Sequence, residues 1–327
     1  MISDAILKPL ASWTSIDRYQ DEELPCLTVI FKSGGCSWNQ CLMCGYRFER
    51  ANTKNQEELL ADMRGQLRWV AENYHRDSYA IVKIFTSGSF FDPREVPPAF
   101  RDDVAALFAG KVVIAETRTE YVEEGALTSF REALETEGDA ALLVAMGLET
   151  TNDYIRDKCI HKGLTFDDFK DAVEIARQAD VGIKTYLMMK PPYLTEREAL
   201  ADMKTSIRDV IPYSDIISMN LCTIQTRTEV EQYWKQGSYR PPYLWSALDA
   251  LLSTDQYVQC DPVGGGKRRG PHNCGKCDYE IVDAINEYTR TGNQIHLKRC
   301  VSAGCECVEE WNHVLENEEP WCMPLTK

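Results

Sequence analysis

Short apolar runs recur along the chain, and each has the length and composition of a buried β-strand. The runs are Cys26–Lys32, Ile81–Thr86, Val112–Thr117, Ala141–Leu148, Gly182–Met189 and Ile216–Thr223. Between them lie amphipathic stretches with apolar residues at helical spacing: Asn55–Tyr74, Pro98–Phe108, Glu120–Glu135, Phe166–Ala179 and Glu196–Val210. Strands that alternate with helices predict parallel βαβ units. The pattern therefore predicts an α/β fold, with an open, partial (β/α)6 barrel rather than a closed eightfold one.

Polar or charged residues end nearly every apolar run. Parallel strands bring their carboxyl ends to one edge of a sheet, so we expect these residues along a single rim. The candidates for binding a cofactor or substrate there are Ser87, Gly88, Ser89, Glu116, Arg118, Glu149, Lys190 and Gln225.

Several of these residues also have simpler interpretations. Ser87–Ser89 is either an ordinary turn or a place where glycine lets the backbone approach a ligand. Glu116 and Arg118 point the same way from one strand, so they either pair with each other or hold polar groups of a ligand. Glu149 is either a helix cap or a rim contact. For Lys190, which precedes two prolines, the alternative is a solvated lysine.

Three cysteines, Cys36, Cys41 and Cys44, crowd into the loop that follows the first predicted strand. Thiolates this close in sequence form a ready site for a soft metal centre. A cluster held by three cysteines leaves one iron without a protein ligand, and that iron is free to bind a small molecule. The alternatives are a zinc knuckle or unrelated core cysteines. Tyr46, just past the loop, is placed to stack on a ligand ring or to cover the cluster.

A second cysteine group lies near the C-terminus. Cys274 and Cys277 form a Cys-x-x-Cys knuckle, and Cys300, Cys305 and Cys307 follow about 25 residues later. This spacing predicts a structural zinc site on Cys274, Cys277, Cys305 and Cys307, with Cys300 as the substitute ligand. A second iron–sulfur cluster is the alternative, because tetrahedral thiolate sites suit both metals. The isolated cysteines are expected to be small buried residues: Cys26, Cys159, Cys222, Cys260 and Cys322.

The alternation stops after residue 225, so we expect two regions: a barrel with its N-terminal lead-in over 1–225 and a cysteine-rich extension over 226–327. The net charge of −15 argues against strong, independent binding to a phosphate backbone. Lys267–Arg269, in a glycine-rich loop, is the exception: it is either a phosphate contact or part of a mobile loop. Without a long apolar segment or a signal-peptide pattern, we expect a cytoplasmic protein with no membrane contact.

The cysteine loop resembles that of the radical S-adenosylmethionine (radical SAM) superfamily. That family has three residues between its first two cysteines and two between the last pair, whereas this loop has four and two. The resemblance implies that Cys36, Cys41 and Cys44 ligate a [4Fe–4S] cluster. It also implies that S-adenosylmethionine chelates the fourth iron through its amino and carboxylate groups. The backbone of Ser87–Ser89 would then accept the ammonium of the cofactor, while Tyr46 would either stack on adenine or cover the cluster.

Pieces across the whole chain are similar to the radical SAM subunit of archaeosine synthase. They are Cys36–Tyr46, Glu116–Arg118, Gly147–Thr150, Lys162–Thr165, Lys190–Pro192 and Gly270–Cys277. The resemblance implies cleavage of a C–N bond in a lysine adduct of 7-cyano-7-deazaguanine in tRNA. It also implies a lysine-transferring partner subunit and an electron donor. The alternatives are another radical SAM tRNA enzyme of the Elongator type and a non-catalytic iron–sulfur and zinc scaffold.

Overall fold

The computed structural model describes residues 7–327, which fold into alternating strands and helices. The strands are β1 Ala11–Tyr19, β2 Glu22–Ile30, β3 Ile81–Phe85, β4 Val112–Thr117, β5 Ala141–Glu149, β6 Gly182–Met189, β7 Ile216–Leu221 and β8 Val258–Asp261. The α-helices are α1 Gln56–Asn73, α2 Pro98–Leu107, α3 Glu124–Leu134, α4 Asp153–Ile155, α5 Phe166–Gln178, α6 Glu196–Val210, α7 Glu229–Lys235, α8 Leu244–Leu252, α9 Asp278–Thr291, α10 Ile295–Ala303 and α11 Cys307–Asn317. A π-helical turn, Arg156–Ile160, continues α4.

The strands form one open sheet in chain order from β1 to β8. β1 pairs with β2 in antiparallel fashion, and the β2–β3, β3–β4, β4–β5 and β7–β8 pairs are parallel. The predicted α/β class and partial barrel are confirmed, and the six predicted strands correspond to β2–β7. Two flanking strands were not predicted. β1 mixes polar and apolar residues and has only one buried residue, and β8 is only four residues long, so neither has an apolar run to mark it.

The five predicted helices are present with small changes at their ends. α6 spans the predicted residues, because a capping box between Thr195 and Glu198 fixes its start. α3 begins at Glu124 rather than Glu120, since Thr119–Tyr121 forms a separate 3-10 turn. The helix ends therefore follow local capping chemistry more closely than the apolar pattern does.

The chain divides into two compact units. The first unit runs to Asn39 and also contains Tyr46–Met146 and Asp167–Lys184. Its core lies on β2–β5 and on the apolar face of α1. A cluster of edge-to-face aromatic rings, Phe90, Phe91 and Phe130, packs in the same unit with centroids 5.3–5.8 Å apart.

The second unit contains Gln40–Gly45, Gly147–Phe166 and Thr185–Lys327. Its core includes α8, which is apolar on nearly all sides and buried along most of its length. Because the first peptide N–H groups of a helix have no partner within the helix, a buried helix start needs side chains from elsewhere. Asn273 and Glu196 provide those side chains. Among residues 7–327, none of the helices combines the length and the apolar character needed to cross a membrane.

Candidate functional site

Cys36 lies in the first unit, against the turn that follows β3. A Cβ atom built on Gly88 would lie 2.7 Å from Cys36 Cβ and 2.8 Å from Cys36 Sγ. Ordinary carbon contacts are about 3.5–4.0 Å, so a larger residue at position 88 would displace the cysteine. Gly88 therefore permits the close approach of Cys36 to the turn after β3.

A buried carboxylate, Glu95, organises the same turn. Glu95 accepts hydrogen bonds from Ser33 Oγ at 2.8 Å and from the peptide N–H of Ser89 at 2.6 Å. Burial raises the pKa of Glu95 above its usual value. Ser87 Oγ is buried and has no hydrogen-bond partner among the described residues. A buried hydroxyl without a partner is uncommon, and it is suited to a bound polar ligand.

Arg118 lies beside this turn and is almost fully buried. Its Nε donates to Glu120 Oε1 at 2.6 Å, and its guanidinium lies 5.3 Å from the centre of the Trp38 ring. The peptide N–H of Arg118 donates to Ser89 Oγ at 3.0 Å. Glu116 is partly exposed, and its carbonyl accepts from the peptide N–H of Phe90 at 2.8 Å. The carboxyl ends of β3 and β4 are thus joined through the turn at Ser89.

Cys41 and Cys44 lie in the second unit, in a short turn where the Cys44 peptide N–H donates to the Cys41 carbonyl at 3.2 Å. The Gln225 side chain accepts from the peptide N–H of Gly45. Gln225 thus holds the backbone directly after the cysteine pair. Tyr46, which belongs to the first unit, begins a 3-10 turn and is 47% exposed.

Two ion pairs, one buried and one partly buried, lie at strand ends in the second unit. Glu149, at the end of β5, binds Lys162 Nζ at 2.7 Å. Lys190, just after β6, is 2% exposed and binds Glu196 Oε2 at 2.6 Å. The alternative of a solvated Lys190 is therefore wrong, because a carboxylate compensates the burial of the ammonium.

Four sulfur atoms converge near the C-terminus. The Sγ atoms of Cys274, Cys277, Cys305 and Cys307 all lie within 4.8 Å of one another. Cys300 is not in this group, and its Sγ lies 3.8 Å from the Glu280 carbonyl.

Most of the isolated cysteines are buried, as expected: Cys26, Cys159, Cys222 and Cys260. Burial raises the pKa of the Cys222 thiol to about 11, which keeps it neutral. The expectation that Cys322 is buried is wrong. Cys322 lies near the C-terminus after the last helix, in a segment that leaves it exposed.

The basic residues of the glycine-rich loop have different surroundings. Arg269 donates to Glu231 Oε1 at 2.8 Å and to the Ile224 carbonyl at 3.2 Å. The hydrogen bond from Arg269 is the main reason that the pKa of Glu231 is lowered to about 2. Lys267 and Arg268 are exposed. Arg269 thus fixes the loop to its own unit, while the other two side chains face solvent.

Three residues of these networks were missed from the sequence. Glu95, Lys162 and Glu196 are ordinary charged residues in or next to predicted helices or turns, and only the tertiary structure reveals their burial or their partners. Gly147 allows Lys162 to approach, because a Cβ at position 147 would lie 2.5 Å from Lys162 Nζ. The glycine itself was a weak signal in the sequence. A glycine near the end of a strand, two residues before a rim carboxylate, indicates a close approach, but it does not show which residue approaches.

These features define an α/β partial-barrel protein with clustered cysteines whose chemistry suits metal binding. No protein-family model matches the chain. It is 40% identical to archaeosine synthase subunit beta of Methanosarcina acetivorans, over 95% of this chain and 91% of the relative. It is 34% identical to the protein of the same name from Thermococcus kodakarensis, over 93% and 96% of the two chains.

A queuine lyase structure from Clostridium spiroforme, bound to SAM and queuine, is 20% identical with a TM-score of 0.48, covering 68% of this chain and 86% of that one. The two curated relatives are similar to this chain along nearly its whole length. This chain therefore belongs to the archaeosine synthase subunit beta family.

Proposed function

We propose that this protein is the radical SAM subunit of an archaeosine synthase. Its substrate is a tRNA that carries a lysine adduct of 7-cyano-7-deazaguanine, and it cleaves the C–N bond between the lysine carbon and the amidine nitrogen. The product is the formamidine of archaeosine. The observation that carries the proposal is the 40% identity over 95% of the chain to a named archaeosine synthase subunit.

The residues fit the cofactors of such an enzyme. Cys36, Cys41 and Cys44 lie within one short stretch, and they offer the three thiolates that a site-differentiated [4Fe–4S] cluster requires. In the turn after β3, Gly88 leaves room for Cys36. Ser87 Oγ is buried and has no hydrogen-bond partner within residues 7–327. These are the properties of a cradle for a small polar ligand, and we assign S-adenosylmethionine to it.

Cys36, Cys41 and Cys44 would hold the cluster, which together with S-adenosylmethionine would supply the chemistry for removing a hydrogen atom from the lysine carbon. The residues of this chain bind and orient. Ser87 offers a hydroxyl, and Glu95 fixes the Ser89 peptide through its hydrogen bond. Arg118, held by Glu120 and close to the Trp38 ring, is positioned to bind a carboxylate.

The other rim residues have supporting roles in this proposal. Glu116 offers a carboxylate to an amine or ribose hydroxyl, and Tyr46 offers an aromatic face to adenine. Glu149 and Lys190 are each neutralised by a partner, so they shape the site rather than supply a free charge. Gln225 fixes the backbone that follows Cys44.

The charge distribution bears on how tRNA is held. With a net charge of −15, this chain is a poor phosphate binder, so we assign most of the tRNA affinity to the lysine-transferring partner subunit. Lys267 and Arg268 are exposed and provide a minor contact. Replacing both with alanine should weaken tRNA association without changing cofactor cleavage. Unchanged tRNA affinity would remove this contact from the proposal.

The decisive experiment is mass spectrometry of tRNA nucleosides from cells that lack this protein. The proposal expects loss of archaeosine and accumulation of a lysine-bearing deazaguanosine. The wild-type gene should restore archaeosine, and Cys41→Ser should not. Cys322→Ser serves as the matched control, because Cys322 is an exposed cysteine outside both groups, and it should restore the product. Normal archaeosine in the deletion strain would refute the proposal.

A further inference from the structure

The four C-terminal sulfur atoms have the geometry of a site for one metal ion. Cys274 Sγ lies 4.0 Å from Cys277 Sγ and 3.8 Å from Cys305 Sγ, and Cys277 Sγ lies 3.6 Å from Cys307 Sγ. A tetrahedral ion with Zn–S bonds of about 2.3 Å places its sulfur ligands about 3.8 Å apart. These three separations are within 0.2 Å of this value, and all four sulfur atoms lie within 4.8 Å of one another.

The same separations distinguish a single ion from a second iron–sulfur cluster. In a four-iron cluster each cysteine binds a different iron, so the sulfur ligands surround the cluster from outside. Here all four sulfurs lie within 4.8 Å of one another, which leaves room at the centre for one ion only. The geometry points to a mononuclear tetrathiolate site, separate from Cys36, Cys41 and Cys44.

The surrounding residues donate hydrogen bonds to the sulfur atoms and hold the backbone of the knuckle in place. Trp245 Nε1 donates to Cys307 Sγ at 3.2 Å, and Asn273 Nδ2 donates to Cys277 Sγ at 3.4 Å. Donors of this kind stabilise thiolates bound to a metal and fix their direction. The knuckle itself is held by Asp278, whose carboxylate accepts from the peptide N–H groups of Asn273 and Gly275.

Backbone conformation supports the same assignment. Gly275 has φ +86° within the Cys274–Cys277 turn, and Gly304 has φ +63° directly before Cys305. Glycine adopts such angles at little steric cost. Two segments that are distant in sequence thus both turn sharply where they deliver a sulfur ligand. We infer that Cys274, Cys277, Cys305 and Cys307 bind one structural zinc ion.

The site also connects to the interior of the second unit. Asn273 Oδ1 accepts from the peptide N–H of Leu244 at 2.9 Å, at the start of α8, and Glu196 Oε1 accepts from that of Tyr243 at 2.8 Å. Glu196 in turn binds Lys190. The zinc site, the start of α8 and the rim lysine therefore form one continuous network. Loss of the metal should loosen all three.

The test begins with the wild-type holoprotein, purified without oxygen. Zinc X-ray absorption spectroscopy should show a single shell of about four sulfur atoms near 2.3 Å, with about one zinc per chain. Replacement of zinc by cobalt(II) should give the absorption of a tetrahedral tetrathiolate ion. Iron in this site, either alone or as a second cluster, would overturn the inference, and so would a chain without metal there.

Variants then locate the metal. Cys305→Ser should lose zinc, while Cys300→Ser, which changes a buried cysteine outside the group, should keep it. Cys36→Ser should lose iron and keep zinc. The loss of iron tests the proposed function, whereas the retention of zinc tests the zinc site independently of it. If Cys36→Ser lost zinc and Cys305→Ser kept it, the zinc would belong to the first cysteine loop, and the inference would be refuted. If Cys305→Ser does not fold, the wild-type spectrum alone decides.

Discussion

The substitution Gly88→Ala tests the close packing between the β3 turn and the first cysteine of the loop. The added Cβ would lie 2.7 Å from Cys36 Cβ, 2.8 Å from Cys36 Sγ and 2.8 Å from Glu95 Oε2. To restore ordinary contacts of about 3.5–4.0 Å, these groups must move by roughly 1 Å. Glu95 is fixed by Ser33 and Ser89, so it has little freedom to move.

Overpacking of this kind costs about 1–3 kcal/mol of stability. If Cys36 binds the iron–sulfur cluster, as proposed, the larger consequence is weaker iron binding, because the added methyl group displaces Cys36. We expect Gly88→Ala to unfold at lower denaturant concentration and to retain less iron after anaerobic reconstitution and desalting. Equilibrium unfolding measures the first effect, and colorimetric iron analysis measures the second.

Gly125→Ala is the matched control in the same unit. Gly125 lies in the exposed first turn of α3, and a Cβ there would meet no atom within 4 Å. Alanine should stabilise this helix by about 0.5–1 kcal/mol without changing the iron content. If Gly88→Ala bound iron and unfolded like Gly125→Ala, the inferred contact between Gly88 and Cys36 would be wrong.

Two further predictions concern buried charges in the second unit. Glu196→Gln leaves the Lys190 ammonium without its compensating charge and should destabilise the protein by about 3 kcal/mol. The control Glu137→Gln breaks the exposed pair with Arg76 and should cost about 0.5 kcal/mol or less. Equal losses of stability in Glu196→Gln and Glu137→Gln, measured by unfolding, would contradict this prediction. Burial raises the pKa of Asp202 to about 6, so its native state binds a proton more tightly than the unfolded state does. Wild-type stability should therefore fall by up to about 2–3 kcal/mol relative to Asp202→Asn as the pH rises from about 4 to about 6, and a difference that is constant with pH would refute this.

The parallel part of the fold was predictable because local sequence patterns indicate each of its strands and helices. A strand such as Val112–Thr117 is a continuous apolar run, and a helix such as Glu196–Val210 carries both its apolar face and its cap in sequence. β1 escaped prediction because its partner, not its own composition, makes it a strand. It pairs with β2 along its whole length, although four of its nine residues are exposed and only Asp17 is buried.

In the candidate site, too, some features could be predicted from the sequence and others could not. The cysteine spacings were visible, because metal ligands crowd together in sequence. The partners that neutralise Lys190 and Glu149 were not visible, since the sequence does not show which charges become buried together. The choice between Cys300 and Cys305 also needed the structure: Cys300 lies on α10, outside the sulfur group, whereas Cys305 follows the turn at Gly304.

The measurement that tests the central proposal most directly follows one hydrogen atom. Anaerobic wild-type protein is incubated with reductant, S-adenosylmethionine and tRNA that carries the lysine adduct, with deuterium on the lysine carbon bonded to the amidine nitrogen. The account predicts that archaeosine forms and that mass spectrometry finds deuterium in 5′-deoxyadenosine. Archaeosine formed together with unlabelled 5′-deoxyadenosine would contradict it, as would full activity in the Cys36→Ser variant.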